Sequence, residues 1–66
     1  MAIVKVVEVI AESEKSWEDA AKVAVKEASK TVRDIKHLYV EHQQAIVAKG
    51  KIVKYRLNAK ISFVVE

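Results

Sequence analysis

The last half of the chain, residues 36–66, has the pattern of two long strands joined near Gly50. Apolar and polar side chains alternate almost without interruption from residue 54 to residue 65. One set contains Tyr55, Leu57, Ala59, Ile61, Phe63 and Val65, and the other contains Lys54, Arg56, Asn58, Lys60 and Ser62. Such alternation is typical of a strand with one buried and one polar face. We therefore predict strands over residues 36–47 and 52–65.

The connection between these strands depends on the conformation of Lys49. A two-residue type I′ turn over Lys49 and Gly50 would require a positive φ at the lysine, which is unfavourable for a side chain of this kind. We therefore predict a four-residue loop, Ala48 to Lys51. The base of this loop is apolar on both sides, and we interpret it as a protein–protein contact because one helix cannot cover both faces.

The first half of the chain has the pattern of one strand and one helix. Residues 2–10 are rich in β-branched side chains and predict a strand, which a polar connector at residues 11–15 follows. Ser16 has the position of a helix N-cap, with two acids in the first turn. The apolar positions share a 3.6-residue spacing and predict a helix that ends near Asp34. They are Trp17, Ala20, Ala21, Ala24, Val25, Ala28, Val32 and Ile35.

Matching the faces of the last two strands predicts their register. Val40 should lie opposite Ala59, and Leu38 opposite Ile61, on the side that faces the helix. The other side would then pair His37 with Ser62, Tyr39 with Lys60, Glu41 with Asn58 and Gln43 with Arg56. A shift by one residue would mix charge into the core.

Connection geometry orders the strands. A strand, a returning helix and a second strand make those two strands parallel, and the third strand fits between them. The predicted fold class is therefore α+β, with the order β-α-β-β and a three-stranded antiparallel sheet, order 1-3-2, wrapped around one helix. We expect residues 1–66 to form a single domain.

Size and composition indicate an oligomer of this one chain. In a domain of 66 residues, the free energy gained by burying apolar surface only about balances the conformational entropy lost on folding. There is no cysteine, so no disulfide stabilises the fold. The net charge of +3 is mild, and only four residues are aromatic (Trp 1, Tyr 2, Phe 1). We therefore expect neither nucleic acid nor a membrane as a partner, and we expect a cytoplasmic location.

The candidate sites are few. No phosphate-binding loop is compatible with one glycine, and the acids are scattered, so we predict no enzymatic activity. His37 and His42 should point to opposite faces of a regular strand and so could not chelate one metal within a chain. A site that His42 forms across subunits with Glu41 or Glu66 is an alternative. Trp17 is interpreted as a packing residue. The basic residues Lys49, Lys51, Lys54 and Arg56 form a solvated patch or, alternatively, an anion site.

Several short segments in this order resemble the dodecins. They are Ser-Trp-Glu-Asp-Ala-Ala at residues 16–21, Thr31-Val32-Arg33, Gly50, and the segments Lys-Tyr-Arg (residues 54–56) and Ser-Phe (residues 62–63) of the last strand. The resemblance implies a hollow homododecamer that binds small molecules. Flavin-binding dodecins hold stacked flavins at subunit interfaces, where they store and quench them.

The resemblance also implies ligand positions. The flavin-pocket positions correspond to Lys36, His37, Gln44 and Arg56, where His37 replaces the stacking tryptophan and Arg56 replaces the glutamine that binds the flavin edge. Gln44 and Val64 replace arginines. The coenzyme A positions of some dodecins correspond to Lys5, Thr31 and Arg33. The chain is similar to a flavin-poor, calcium-associated branch, for which Glu8, Glu41 and Glu66 are candidate ligands.

We therefore expect a non-enzymatic dodecin-like shell that binds or sequesters a small ligand. The flavin class, FMN or riboflavin, is implied by the family, with a pocket altered at His37 and Arg56. The alternatives are a structural dodecamer that binds calcium without flavin, and a coenzyme A-binding shell.

Overall fold

One helix packs on a three-stranded antiparallel sheet. The computed structural model describes residues 3–65, which form β1 (Ile3–Ser13), α1 (Trp17–Ala28), β2 (Ile35–Ala48) and β3 (Lys51–Val65). The strand order is β1-β3-β2, and β3 runs antiparallel to both neighbours. The predicted fold class and sheet order are confirmed.

The core lies between α1 and the middle of β3. Leu57, Ala59 and Ile61 are at most 1% exposed, and the alanines at positions 20 and 24 of the helix are buried against the sheet. Alanine lets the helix approach closely, so that the larger β3 side chains fill the interface. Burial of Leu57 and Ile61 stabilises the fold by about 1.5–3 kcal/mol each. The predicted inward face of β3 is confirmed at its centre.

β1 extends further at its C-terminal end than predicted. It continues through residues 11–13, which had been interpreted as a connector, and its last pair joins Ser13 to Tyr55. The predicted start at Ala2 lies outside the described residues. The extension is stabilised because Ala11 is small enough to enter the core and Ser13 donates a hydrogen bond of 2.6 Å to Oδ2 of Asp19.

α1 begins where predicted and ends earlier. The Ser16 hydroxyl accepts a hydrogen bond from the backbone N–H of Asp19 at 2.9 Å, as an N-cap does. The helix ends at Ala28, not near Asp34. Lys30 and Thr31 donate to carbonyls three residues back, which tightens the last turn, and Asp34 has a φ of 56° that turns the chain into β2. Of the residues described, no helix is long and apolar enough to span a membrane.

The β2–β3 register is correct in part. Residues 37–40 of β2 pair as predicted, including Val40 with Ala59. A β-bulge at Glu41 then shifts the pairing by one, so Asn58 pairs with His42 and Arg56 pairs with Gln44. The predicted partners Glu41 and Gln43 are therefore wrong. Gln43 and Gln44 are both polar, so the face pattern could not reveal the shift.

The turn joining β2 and β3 has two residues. Ala48 pairs with Lys51, and Lys49 and Gly50 have φ values of 53° and 76°. Positive φ at both central residues is the type I′ requirement. The predicted four-residue loop is wrong because the long hairpin holds Lys49 in the left-handed region in spite of its side chain.

The end of the hairpin extends beyond β1. Because the last β1 pair is at Tyr55, residues 46–54, which we call the hairpin arm, have no third strand beside them. Three of its apolar side chains are exposed, with Val47 at 61%, Ile52 at 52% and Val53 at 42%. At the other end of the sheet, Ile3, Val4 and Val6 of β1 are also more than half exposed. The apolar surface expected at the hairpin base is therefore present and uncovered in one chain.

Candidate functional site

The candidate site is the face of the sheet that points away from α1, which we call the outer face. The alternate residues of β3 on this face are Lys54, Arg56, Asn58, Lys60 and Ser62. Directly opposite residues of antiparallel strands project to the same side. The pairing with β3 therefore places His37, Tyr39, His42 and Gln44 of β2 on the outer face as well.

The bulge at Glu41 changes the relation between the two histidines. They had been predicted to point to opposite faces, but His37 pairs with Ser62 and His42 with Asn58, which share the outer face. Ser62 Oγ lies 3.5 Å from Nδ1 of His37. Their β3 partners are four residues apart, so the histidines are about 13 Å apart along the strand. This separation, and not opposite orientation, is what prevents them from ligating one ion within a chain.

Glu12 and Arg56 form the shortest charged contact of the outer face. The Arg56 Nε donates to Glu12 Oε2 at 2.7 Å, and Nη2 lies 2.6 Å from the same oxygen. Lys54 Nζ lies 3.9 Å from the other carboxylate oxygen. Arg56 lies in the central strand, and its pairing partner in β2, the strand on the other side from β1, is Gln44. One transverse row therefore contains a carboxylate, a guanidinium and an amide, one from each strand.

The helix is attached to the same row from the inner side. Trp17 Nε1 donates to the backbone carbonyl of Gln44 at 3.0 Å, and the Trp17 ring meets Tyr55 edge-on with a centroid distance of 4.9 Å. Trp17 also packs against the buried core. Its interpretation as a packing residue is confirmed, and it fixes β2 beside Arg56.

A second charged row lies in the middle of the outer face. Lys60 pairs with Glu8 of β1 and with Tyr39 of β2, which is 65% exposed. Lys60 Nζ is 3.2 Å from Glu41 Oε1. That oxygen is buried and accepts no well-directed hydrogen bond within residues 3–65, so the ion pair only partly compensates for its desolvation.

The four flavin-pocket positions do not meet in one chain. Gln44 and Arg56 are adjacent, whereas His37 lies opposite Ser62, six residues further along β3 and thus about 20 Å away. Lys36 is the extra residue of a second bulge beside His37 and is exposed. A planar ligand that contacts both His37 and Arg56 would therefore need two subunits.

The coenzyme A positions lie at one end of the sheet. Lys5 pairs with Phe63, which also pairs with Ile35 at the start of β2. Thr31 and Arg33 are in the segment that leads from α1 to Ile35, and the Thr31 hydroxyl lies 3.5 Å from the carbonyl of Ala28. All three side chains are exposed.

The carboxylates do not form a calcium site within one chain. Calcium takes six to eight oxygen ligands, and no three His, Cys, Asp or Glu side chains in residues 3–65 are grouped so as to hold a metal. Glu41 already has a cation beside it, Lys60 Nζ at 3.2 Å, and Glu8 is the residue of β1 that pairs with Lys60. The third candidate, Glu66, lies outside the described residues.

Comparison with known proteins identifies the fold family. The Dodecin family model matches residues 3–66, nearly the whole chain. The chain belongs to the dodecin family. The resemblance seen in the helix start and last strand is therefore confirmed.

Individual dodecins cover the chain almost completely. The curated calcium dodecin of Mycobacterium tuberculosis is 41% identical over 64 residues, covering 96% of this chain and 89% of the relative. The crystal structure of calcium dodecin from Mycobacterium tuberculosis, described as having a novel calcium-binding site, superposes with a TM-score of 0.84 at 34% identity, covering 97% and 91% of the two chains. The crystal structure of an arginine-to-alanine mutant of the Thermus thermophilus dodecin superposes with a TM-score of 0.94 at 24% identity, covering 100% of this chain and 98% of that one. At this identity the likeness supports the fold alone.

Glu12 is the residue of this dodecin that the sequence pattern missed. It was assigned to a connector because Glu12 and Ser13 interrupt the apolar run of β1. The signal that could have identified it is parity: Glu12 continues the alternation of Glu8 and Ile10 along one face, which leads directly to Arg56 in the pairing.

Proposed function

We propose that this dodecin is the non-catalytic subunit of a homododecameric shell that binds a small ligand between the outer faces of neighbouring subunits. The observation that carries the proposal is the Glu41 bulge. It gathers His37, Tyr39, His42 and Gln44 on the same face as Arg56. This face offers exposed rings for stacking and a donor row for a polar edge. We further propose that the chain acts as one domain in the cytoplasm.

Assembly is supported by the apolar surface that one chain leaves exposed. Val47, Ile52 and Val53 of the hairpin arm, and Ile3 and Val4 of β1, lie at opposite ends of the sheet. A small domain seldom exposes so much apolar surface without a partner. Contacts at both ends of the sheet suit a closed shell in which every subunit touches several others.

The ligand class is a planar ring system, with riboflavin and FMN as the flavins implied by the family. Tyr39 and His37 are exposed rings, and stacking on an aromatic side chain is worth about 1–3 kcal/mol per ring by analogy with bases. Histidine offers less area than the tryptophan implied by the family. Arg56 replaces an amide, and it is already bound to Glu12. We therefore expect flavin to bind weakly.

Flavin fluorescence tests this proposal. Protein purified without added cofactor is titrated into riboflavin and into FMN, and binding is read as quenching. The double variant His37→Trp with Arg56→Gln should bind riboflavin at least tenfold more tightly than the original chain. The matched control Lys22→Gln, on the helix, should leave the affinity unchanged. Fluorescence that stays unquenched for every protein at high concentration would refute the flavin class.

Calcium is the second candidate, supported by the 41% identity to a calcium dodecin. Within this chain, the buried and incompletely compensated Glu41 Oε1 is the best single ligand atom. A site would therefore need carboxylates of the candidates Glu8, Glu41 and Glu66 from more than one subunit. Calorimetric titration of the assembled protein with CaCl₂ tests it. Binding that disappears in Glu41→Gln, but not in Glu14→Gln, would support this candidate, and an absence of heat would contradict it.

Coenzyme A is the third candidate. The observation in its favour is that Lys5, Thr31 and Arg33 share one end of the sheet, where two cations and a hydroxyl are exposed. Equilibrium dialysis with coenzyme A tests it, with Lys5→Gln and Arg33→Gln expected to weaken binding and Lys51→Gln, on the hairpin arm, expected to have no effect.

A further inference from the structure

We propose that Glu12 determines the charge preference of the ligand face by neutralising Arg56, so that the face favours uncharged hydrogen-bond acceptors over anions. The inference rests on the proposed ligand-binding function and specifies the chemistry of its donor row. Glu12 is a specificity-determining residue that acts through Arg56.

The geometry of the contact supports this role. Nε and Nη2 of Arg56 both lie within 2.7 Å of one oxygen, Glu12 Oε2. The guanidinium is therefore held by two of its nitrogens across the β1–β3 pair, and Nη1 takes no part in this contact. A planar fork fixed in this way loses little further freedom when a ligand binds. Arg56 acts as a positioned donor whose charge is compensated.

The charge of the cluster follows from the same contacts. Lys54 Nζ is 3.9 Å from Glu12 Oε1, so Glu12 is shared by two cations. With Glu12 the three side chains carry a formal charge of +1, and without it they carry +2. The Glu12 and Arg56 side chains are 33% and 39% exposed, which makes screening by solvent weaker than for a fully exposed pair.

The row also restricts which ligand groups can approach. Gln44 lies on the other side of Arg56, and its backbone carbonyl is already used by Trp17. A ligand carbonyl can accept from Arg56 without disturbing the Glu12 pair. A phosphate or carboxylate would face the Glu12 carboxylate at close range, and repulsion between like charges opposes it.

Riboflavin and FMN are matched probes because they differ only by one phosphate. The measured quantity is the ratio of their dissociation constants at 50 mM salt. Glu12→Gln, which keeps the shape and removes the charge, should shift this ratio towards FMN by about fivefold. Glu12→Asp should keep the original preference. The shift should shrink at 500 mM salt, because the screening length falls from about 14 Å to about 4 Å.

The control variant is Glu18→Gln. Glu18 is exposed on α1, where it pairs with Lys22 at 3.4 Å, so its replacement changes the net charge equally and leaves Arg56 untouched. An equal shift of the ratio in Glu12→Gln and Glu18→Gln would overturn the proposal, as would no shift in either. If Glu12→Gln does not fold, Glu12→Thr carries the same test, because threonine suits a strand.

Inorganic phosphate separates this proposal from the flavin class. If neither flavin binds any variant, the flavin proposal fails, and Glu12 is tested by the thermal midpoint in phosphate against chloride at equal ionic strength. Phosphate should raise the midpoint of Glu12→Gln by at least 2 °C more than that of Glu18→Gln, since a ligand of the folded state stabilises it. Equal shifts would overturn the role assigned to Glu12.

Discussion

The middle of the β2–β3 hairpin and its arm differ in what covers them. Near the middle of the sheet, Leu57 is 1% exposed because α1 lies above it and β1 lies beside it. A few residues along the same strand, in the hairpin arm, Ile52 is 52% exposed. The side chains are equally apolar, so the difference comes from the neighbours. Fold stability is concentrated under the helix, and the arm keeps Val47, Ile52 and Val53 uncovered within one chain.

The largest expected effect is the loss of Leu57. Leu57→Ala should lower the free energy of unfolding by about 2–5 kcal/mol, because it removes a fully buried side chain and leaves a cavity. Urea denaturation followed by circular dichroism measures it. The matched substitution Val53→Ala, in the arm, should have less than half that effect at low protein concentration. Equal losses would show that the arm is as stabilising as the core.

Assembly provides the next test. Ile52→Lys should dissociate the oligomer, because a charge in an apolar contact is strongly unfavourable when desolvated. Light scattering after size exclusion would then give a smaller mass than for the unaltered protein. Lys51→Ala, the neighbouring position in the arm, is the control and should keep the mass. A native mass for Ile52→Lys would refute the role proposed for the arm.

The turn offers a stabilising change. Lys49 has a φ of 53°, in the region that asparagine and glycine tolerate best. Lys49→Asn should therefore raise the free energy of unfolding by about 0.5–1 kcal/mol. Gly50→Ala should have the opposite sign, although nothing lies within 4 Å of an added Cβ, because Gly50 has a φ of 76°. Denaturation of both variants beside the original chain decides the sign.

The smallest effect concerns an exposed pair on α1. A hydrogen bond and the charge of Lys30, 2.7 Å away, lower the pKa of Glu27 below its usual value. The stabilisation is present above the unfolded pKa and is lost as the pH falls through the folded pKa. Lys30→Ala should raise the Glu27 pKa towards its ordinary value, as measured by NMR titration. Lys22→Ala, which removes the ion pair with Glu18 on the same helix, is the control and should leave the Glu27 pKa unchanged.

Sequence patterns were sufficient wherever one face was apolar and the other polar. The alternation of β3 and the helical spacing from Trp17 to Ala28 predicted the core and the pairing of residues 37–40, and connection geometry predicted the sheet order. The patterns failed where both alternatives looked alike. Gln43 and Gln44 are both polar, so the alternation could not show which of them faces the helix, and the Glu41 bulge was missed. Val32 and Ile35 fitted the helical spacing, although the helix ends at Ala28.

The candidate site was less predictable than the fold. Which residues share the outer face depends on the bulge, and the Glu12–Arg56 contact joins residues 44 positions apart in the sequence. The positions implied by the family include Gln44 and Arg56, which strand pairing places side by side, whereas the predicted register had put Gln43 opposite Arg56. They could not reveal that His37 lies far from both within one chain, because that distance depends on strand pairing and not on spacing.

The pairing of β2 with β3 has three irregularities, and they affect how the sequence of the outer face can change. β1 pairs with β3 through eleven uninterrupted residue pairs, while β2 has an extra residue at Lys36 and at Glu41, and β3 has one at Val53. A bulge places two residues of one strand opposite one residue of its partner, so the extra residues Lys36 and Glu41 are accommodated in β2 while β3 stays paired with β1. Insertions and deletions in β2 could therefore exchange the side chains displayed on the outer face while the core remains in register. The functional groups on the outer face of β2 can therefore be replaced with little effect on the stability of the fold.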